Sequence, residues 1–220
     1  MNIDQVITKL GDTYSEIARH DDSHKLFGYL LDFLLYPFSE NPIYVPKSQL
    51  SSNTLGNINK SVHEFQLVIY DAYNKFHFTD IIGMFFNKYI DLGNKSGRYF
   101  SPAGIGRLLN CIIQSKSTET IYIHEPSVGS GALILPIASV QTNALFFVSD
   151  VNESCCKMCL LNMLFNKIIG EVAHMNILSY EFMKVYWICA SEFGEKHFRL
   201  YFMESCDKKK CCQYPQNTQQ

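Results

Sequence analysis

The sequence predicts an α/β fold, a parallel sheet with crossover helices preceded by a helical N-terminal region. Three observations carry that expectation. Apolar residues recur at three-to-four spacing through most of the first 110 positions. After residue 118 the period changes, and short β-branched or aromatic runs alternate with helical ones. Between the first such run and the first such helix lies HEPSVGSGALIL, 124–135, which sets Gly129 and Gly131 around Ser130.

Each element follows in order. Residues 3–36 read as helical, with Ile3, Val6, Ile7 and Leu10 on one stripe and Leu26, Tyr29, Leu30, Phe33 and Leu34 on another. Pro37, Pro42 and Pro46 end that pattern, and YPFSENPIYVPKSQLSSNTLGN (36–57) reads as a loop. A second helical block spans 61–90, where Asp80 is placed to cap IIGMFFNKYI. DLGNKSGRYFSP is a loop, and a helix resumes near Ala103. Strands are expected at 121–123, 144–148 and 171–174, with helices at 132–140 and 153–166 between them. FRLYFM (198–203) is the candidate fourth strand, and 207–220 reads as a disordered polar tail. This divides the chain into a helical region 1–95, an α/β region 96–206 and the tail 207–220.

Composition excludes several classes. A net charge of −2 gives no global basic field for nucleic acid, so such a role needs a local patch or a partner. The N-terminus lacks a signal-peptide pattern, and no window holds the roughly eighteen uninterrupted apolar residues of a membrane helix. The eight cysteines then read as reduced thiols of a soluble, cytoplasmic protein with no membrane association. Cys155, Cys156 and Cys159 fall in an apolar helix and read as core residues. Cys206, Cys211 and Cys212 match no ordinary zinc spacing, and no metal site is expected. His20 and His24, scattered His124, and Lys208–Lys210 read as solvated or packed groups.

The glycine loop admits two readings. Glycines after a first strand let the backbone adopt unusual dihedrals and let a ligand approach closely. The stretch lacks the lysine of a P-loop and the full dinucleotide triad. Asp150 ends the second strand, where a carboxylate can accept from both hydroxyls of a ribose. Together they make a nucleoside-binding arrangement; the alternative is a structural turn with a capping aspartate.

Two further segments extend the pattern. Gly97-Arg98-Tyr99-Phe100-Ser101-Pro102 precedes the glycine loop, and HMNIL (174–178) follows the third strand. In this order the segments resemble the DNA methyltransferases that modify adenine N6, in particular the modification subunits of type I restriction systems. That family carries G-x-[FY]-[FY]-[ST]-P beside S-adenosylmethionine, and D-P-x-x-G-S-G where this chain has Glu125-Pro126-Ser127-Val128-Gly129-Ser130-Gly131. The resemblance covers 79–180, beginning with TDIIGMFFNKYIDLGNKSGRYFSP. It implies a Rossmann-like, S-adenosylmethionine-dependent methyltransferase sheet, present in part, acting on DNA with a partner subunit or a second copy. It implies cofactor contacts from Tyr99, Phe100, Ser101, Pro102, Glu125, Pro126, Gly129, Ser130 and Gly131. Asp150 would take the ribose and Asn176, through its side-chain oxygen, the adenine amino group. Glu125 replaces the family's aspartate, as Asn176 does another.

The family's catalytic [DNS]-P-P-[FYW] motif, whose aromatic stacks on a flipped base, is missing after the candidate fourth strand. There the chain reads Glu204-Ser205-Cys206-Asp207. The near match is Asn41-Pro42-Ile43-Tyr44, which a circularly permuted order would place before the cofactor motifs; its other reading is a proline-broken loop. Two function classes therefore stand: a methylase subunit or partial enzyme, and a non-catalytic cofactor-binding regulator or scaffold.

Overall fold

The computed structural model describes residues 1–18, 22–40, 52–91, 104–106, 108–109, 119–193 and 197–212. Helices of the N-terminal part include α1 (Ile3–Ile17), α2 (Ser23–Leu35), α3 (Ser52–Lys75) and α4 (Ile81–Tyr89), and the described residues at 104–106 and 108–109 are helical as well. A capping box starts α1, where the Gln5 amide donates to Asn2 Oδ1 and the Asn2 amide to Gln5 Oε1, both at 2.9 Å. Asp22 caps α2, and Asp80 caps α4 as its sequence position predicts. The loop expected to run to residue 57 ends earlier, because α3 begins at Ser52. Ser, Thr and Asn suit both turns and first helical turns, so composition alone does not separate the two.

The sheet has five strands in sequence order: β1 (Ile121–Glu125), β2 (Ala144–Asp150), β3 (Gly170–Asn176), β4 (Glu181–Phe193) and β5 (His197–Ser205). A short helix α5 (Ile134–Ala138) joins β1 to β2, and α6 (Glu153–Phe165) joins β2 to β3. β1, β2 and β3 pair in parallel, as expected of strand–helix alternation. The expected fourth parallel strand is corrected. FRLYFM lies in β5, which pairs antiparallel with β4, and β4 pairs antiparallel with β3. β4 has no counterpart in the sequence reading. Its apolar centre, Val185-Tyr186-Trp187-Ile188-Cys189, is buried on both faces and so shows no alternation. The four residues after the motif-bearing position, Glu204 to Asp207, therefore end a hairpin and not a parallel strand.

One core unites helices and sheet. Tyr14, Phe27, Phe65, Phe85 and Phe86 interlock between α1, α2, α3 and α4. Tyr73 stacks on Phe165 of α6 at 4.2 Å between ring centres, carrying that cluster onto the sheet. Phe146, Val148, Val172, Tyr186 and Phe202 face it from the strands. The outer edge of β5 is met by residues following α2, where Ser39 bridges Phe202 and the Glu40 amide donates to Phe202 O at 3.0 Å. That contact covers an edge that would otherwise invite association.

The opposite sheet face holds a smaller apolar cluster of Ala173, Val185, Trp187 and Cys189. Cys211 packs onto it, so residues 207–212 are ordered, contrary to the tail expectation. Asp207 caps the turn Lys208–Lys210, and Lys208 donates to Tyr180 O at 2.8 Å. Residues 213–220 lie outside the described residues. Cys155, Cys156 and Cys159 are buried core thiols as read from the sequence, and burial raises Cys156 and Cys159 well above ordinary thiols. No helix among the described residues is long and apolar enough to cross a membrane.

Candidate functional site

The carboxyl ends of β1, β2 and β3 lie side by side, because parallel strands all point one way. They deliver Glu125, Asp150 and Asn176 to one rim. The glycine loop rises between the first two. Gly129 has φ 57° and Gly131 φ 96°, conformations that disfavour any side chain. A Cβ on Gly131 would stand 3.2 Å from Cys159 Sγ, so α6 also needs the glycine.

Asp150 anchors the loop. Its Oδ2 accepts from the Gly129 amide at 3.0 Å, and its Oδ1 from the Asn152 amide at 2.8 Å. A carboxylate oxygen has two acceptor positions, so one on each oxygen remains for a ligand. The backbone is locked beside it, with the Val128 amide on Ser149 O at 2.9 Å. Asp150 is thus a structural clamp of the glycine loop.

Asn176 is engaged within its own turn. Its Oδ1 accepts from the Leu178 amide at 3.0 Å and the Ser179 amide at 3.3 Å. The turn thus already engages the oxygen that the sequence reading assigns to an adenine amino group. The side-chain NH2 is the group such a ligand would meet, as a donor to a ring nitrogen. Glu125 accepts from the Ser127 amide at 3.0 Å, which sets the start of the loop. Around this rim Val151, Ile177, Leu178 and Tyr180 are exposed. Tyr99, Phe100, Ser101 and Pro102, like Asn41, Pro42 and Tyr44, lie outside the described residues.

A polar network beneath the loop was not legible as such in the sequence. Ser130 is fully buried, and its hydroxyl donates to Asp80 Oδ2. The Asn162 side-chain NH2 donates to Asp80 Oδ1 and to Ser130 O, both at 2.7 Å. Tyr73 donates to Asn162 Oδ1 at 2.6 Å, and the Gly83 amide to Asp80 Oδ1 at 2.9 Å. Helices α3, α4 and α6 thereby grip the serine between the two glycines. A Cβ on Gly83 would collide with both Asp80 and Ser130, so α4 approaches the loop only through a glycine. Burial raises the Asp80 carboxyl above its ordinary range, and burial followed by Asp80 pushes Tyr73 well up. The sequence signal for this network is Asn162, a lone amide in the apolar run CLLNMLF.

A cavity of about 210 Å³ opens on the sheet face away from the helices. Glu125 and Pro126 of the loop line one end; Glu171, Cys211 and Cys212 line the other. The glycines and Asp150 do not line it.

Among solved structures the chain is similar to a putative class I S-adenosylmethionine-dependent methyltransferase from Listeria monocytogenes. Identity is 11%, the TM-score is 0.54, and 77% of this chain and 52% of that one are covered. It also matches a type I restriction-modification system methyltransferase subunit from Streptococcus thermophilus, with 12% identity, TM-score 0.43, and 76% and 56% covered. The chain thus spans about half the length of these solved relatives. No curated protein matches the sequence. The first likeness bears on the fold alone: the sheet and helices are those of a methyltransferase. A family model described as N-6 DNA Methylase matches residues 74–186, which run from the end of α3 into β4 and make up just over half of the sequence. That span takes in Asp80, Ser130 and Asn162 of the buried network and the Gly129–Asp150 clamp, and the chain belongs to the N-6 DNA methylase family.

Proposed function

We propose that the chain is the cofactor-holding part of a DNA adenine-N6 methylase of the type I modification-subunit kind. The observation that carries this reading is Asp150: a carboxylate pinned by the Gly129 and Asn152 amides with an acceptor position left on each oxygen. S-adenosylmethionine, which family membership implies, supplies an electrophilic methyl group when bound. Asp150 would accept from the ribose hydroxyls, and the glycine loop would let the backbone approach the ligand because neither glycine carries a side chain. The Asn176 side chain would meet the adenine ring, and Val151 and Ile177, both exposed at the rim, would give it apolar contact. Glu125 stands at the loop's entrance, near where the cofactor's ammonium group would lie. By resemblance, Tyr99, Phe100, Ser101 and Pro102 would add cofactor contacts.

The groups that hold the target adenine come from outside the 220 residues, which contain no [DNS]-P-P-[FYW] segment. Among the described residues no strand pairs with the outer edge of β1, the place where a doubly wound sheet continues into its second half. With a net charge of −2, DNA is engaged through a partner subunit or a second copy, in the reducing cytoplasm that the free thiols suit. The same missing segment favours a second reading, a non-catalytic protein that binds the cofactor and regulates or scaffolds a modification complex.

Incubation with methyl-labelled S-adenosylmethionine and adenine-containing duplex DNA separates these. The partial-enzyme reading expects no label on DNA from the chain alone, and label on adenine N6 once a partner subunit from a type I system is added. Label transferred by the chain alone would overturn the need for outside groups. Cofactor binding with no transfer under any complementation supports the regulator.

A further inference from the structure

Glu171 is a buried carboxylate, 2% exposed, and among the described residues no cation pairs with it. Its neighbours are neutral donors. Trp187 Nε1 donates to Oε2 at 2.9 Å, and the Cys212 amide reaches both oxygens at 2.9 and 3.0 Å. The Cys211 thiol lies 3.3 Å from Oε1. Buried carboxylates are ordinarily paired with a cation or bound to a metal, and this one has neither in its hydrogen-bonded shell.

The chain is folded to bring two thiols to that carboxylate. Asp207 caps the turn Lys208–Lys210, which turns the chain back onto β3, and Cys212 takes the unfavourable φ of 59°. One carboxylate oxygen, Cys211 Sγ and Cys212 Sγ then all lie within 4.8 Å of one another. Metal–ligand bonds of about 2.0–2.3 Å in a tetrahedron set ligand atoms roughly 3.3–3.8 Å apart, so a small closure meets the requirement. The cavity beside the cluster leaves room for a fourth ligand.

We propose that Glu171, Cys211 and Cys212 bind one thiophilic divalent cation of the zinc class, with a water or small ligand in the fourth position. Two thiolates select against magnesium and calcium, which prefer oxygen donors. On binding, each thiol gives its proton to the buffer, and the cation offsets two of the three negative charges that the carboxylate and both sulfurs then carry. The metal would tie residues 207–212 to β3 over the sheet face that carries the Ala173, Val185, Trp187 and Cys189 cluster, at the far end of the cavity that Glu125 and Pro126 line. The spacing Cys211-Cys212 hides this site in the sequence, because the third ligand is 40 positions upstream. The inference does not depend on cofactor binding.

The full chain, reduced and stripped of metal with a chelator, is titrated with Zn2+ against a chromophoric competitor, and separately with Co2+. The expected result is one Zn2+ per chain and a thiolate-to-cobalt charge-transfer band. Cys211→Ser and Cys212→Ser each weaken uptake by about 100-fold and lose intensity in that band, whereas Cys206→Ser changes neither. Cys212 is exposed, so its serine variant tests the site without threatening the fold. Zn2+ should also raise the melting temperature of the wild-type chain and not of Cys212→Ser. Failure of the folded, reduced chain to take up Zn2+ would overturn the proposal. So would equal uptake by the wild-type chain and the Cys211→Ser and Cys212→Ser variants.

Discussion

The parallel half of the sheet and its antiparallel half are built from equally apolar strands, yet they do different things. β1, β2 and β3 run the same way, so their carboxyl ends assemble Glu125, Asp150 and Asn176 on one rim. β4 and β5 alternate in direction, so no such gathering occurs. The hairpin covers the far edge of β3 and, through Trp187, holds Glu171. Chain direction, more than apolar content, decides which half can carry a nucleoside site.

Substitutions in the two halves should therefore separate in what they change. The largest effect is expected at Asp150. Loss of two hydrogen bonds to a charged acceptor, each about 1.5–3 kcal/mol, lowers S-adenosylmethionine affinity by roughly 100-fold or more in Asp150→Ala. Glu204→Ala, at the end of the hairpin, should leave affinity unchanged in the same calorimetric titration. Equal losses would erase the distinction between the halves.

Asp80→Ala comes next, because it strips the partner from Ser130, Asn162 and Gly83 at once. A loss of about 3 kcal/mol in denaturant unfolding is expected. The Asp80 carboxyl is raised by burial, so the folded state holds its proton more tightly than the unfolded chain. Its stabilising contribution is thus full below the ordinary aspartate range and is lost as pH rises through the raised value. Asp80→Asn, which cannot ionise, should lack that part of the pH dependence; unfolding curves across mildly acidic pH read the difference.

Gly131→Ala should cost about 1–2 kcal/mol, from its positive φ and the approach to Cys159. It should also weaken cofactor binding, since the loop must shift. Trp187→Phe, in the hairpin, removes one hydrogen bond to Glu171 and should cost about 1 kcal/mol with no change in cofactor affinity. The pair makes the sharpest small-effect contrast: similar stability losses, with binding altered in only one.

Much of the parallel half was legible because its signals are local. The change of period after residue 118, the glycines around Ser130 and the acid ending β2 each sit within a few residues of what they specify. Asp80 was legible as a helix cap for the same reason. Its second role was not, because Ser130 and Asn162 lie 50 and 82 positions away. β4 escaped because burial on both faces removes the alternation that marks a strand. Without β4, FRLYFM reads as a parallel strand with a catalytic loop expected after it, whereas it lies in the second strand of a hairpin. Asn176 shows a further limit. Its position was readable, but not that the Leu178 and Ser179 amides would occupy its oxygen.

The most direct test of the account is calorimetric titration of the purified chain with S-adenosylmethionine, alongside Asp150→Ala. The account predicts a single binding event in the wild-type chain that the folded variant loses. A folded wild-type chain that binds no cofactor, or a variant that binds it equally well, would contradict it and leave the Gly129–Asp150 clamp as a turn that serves the fold alone.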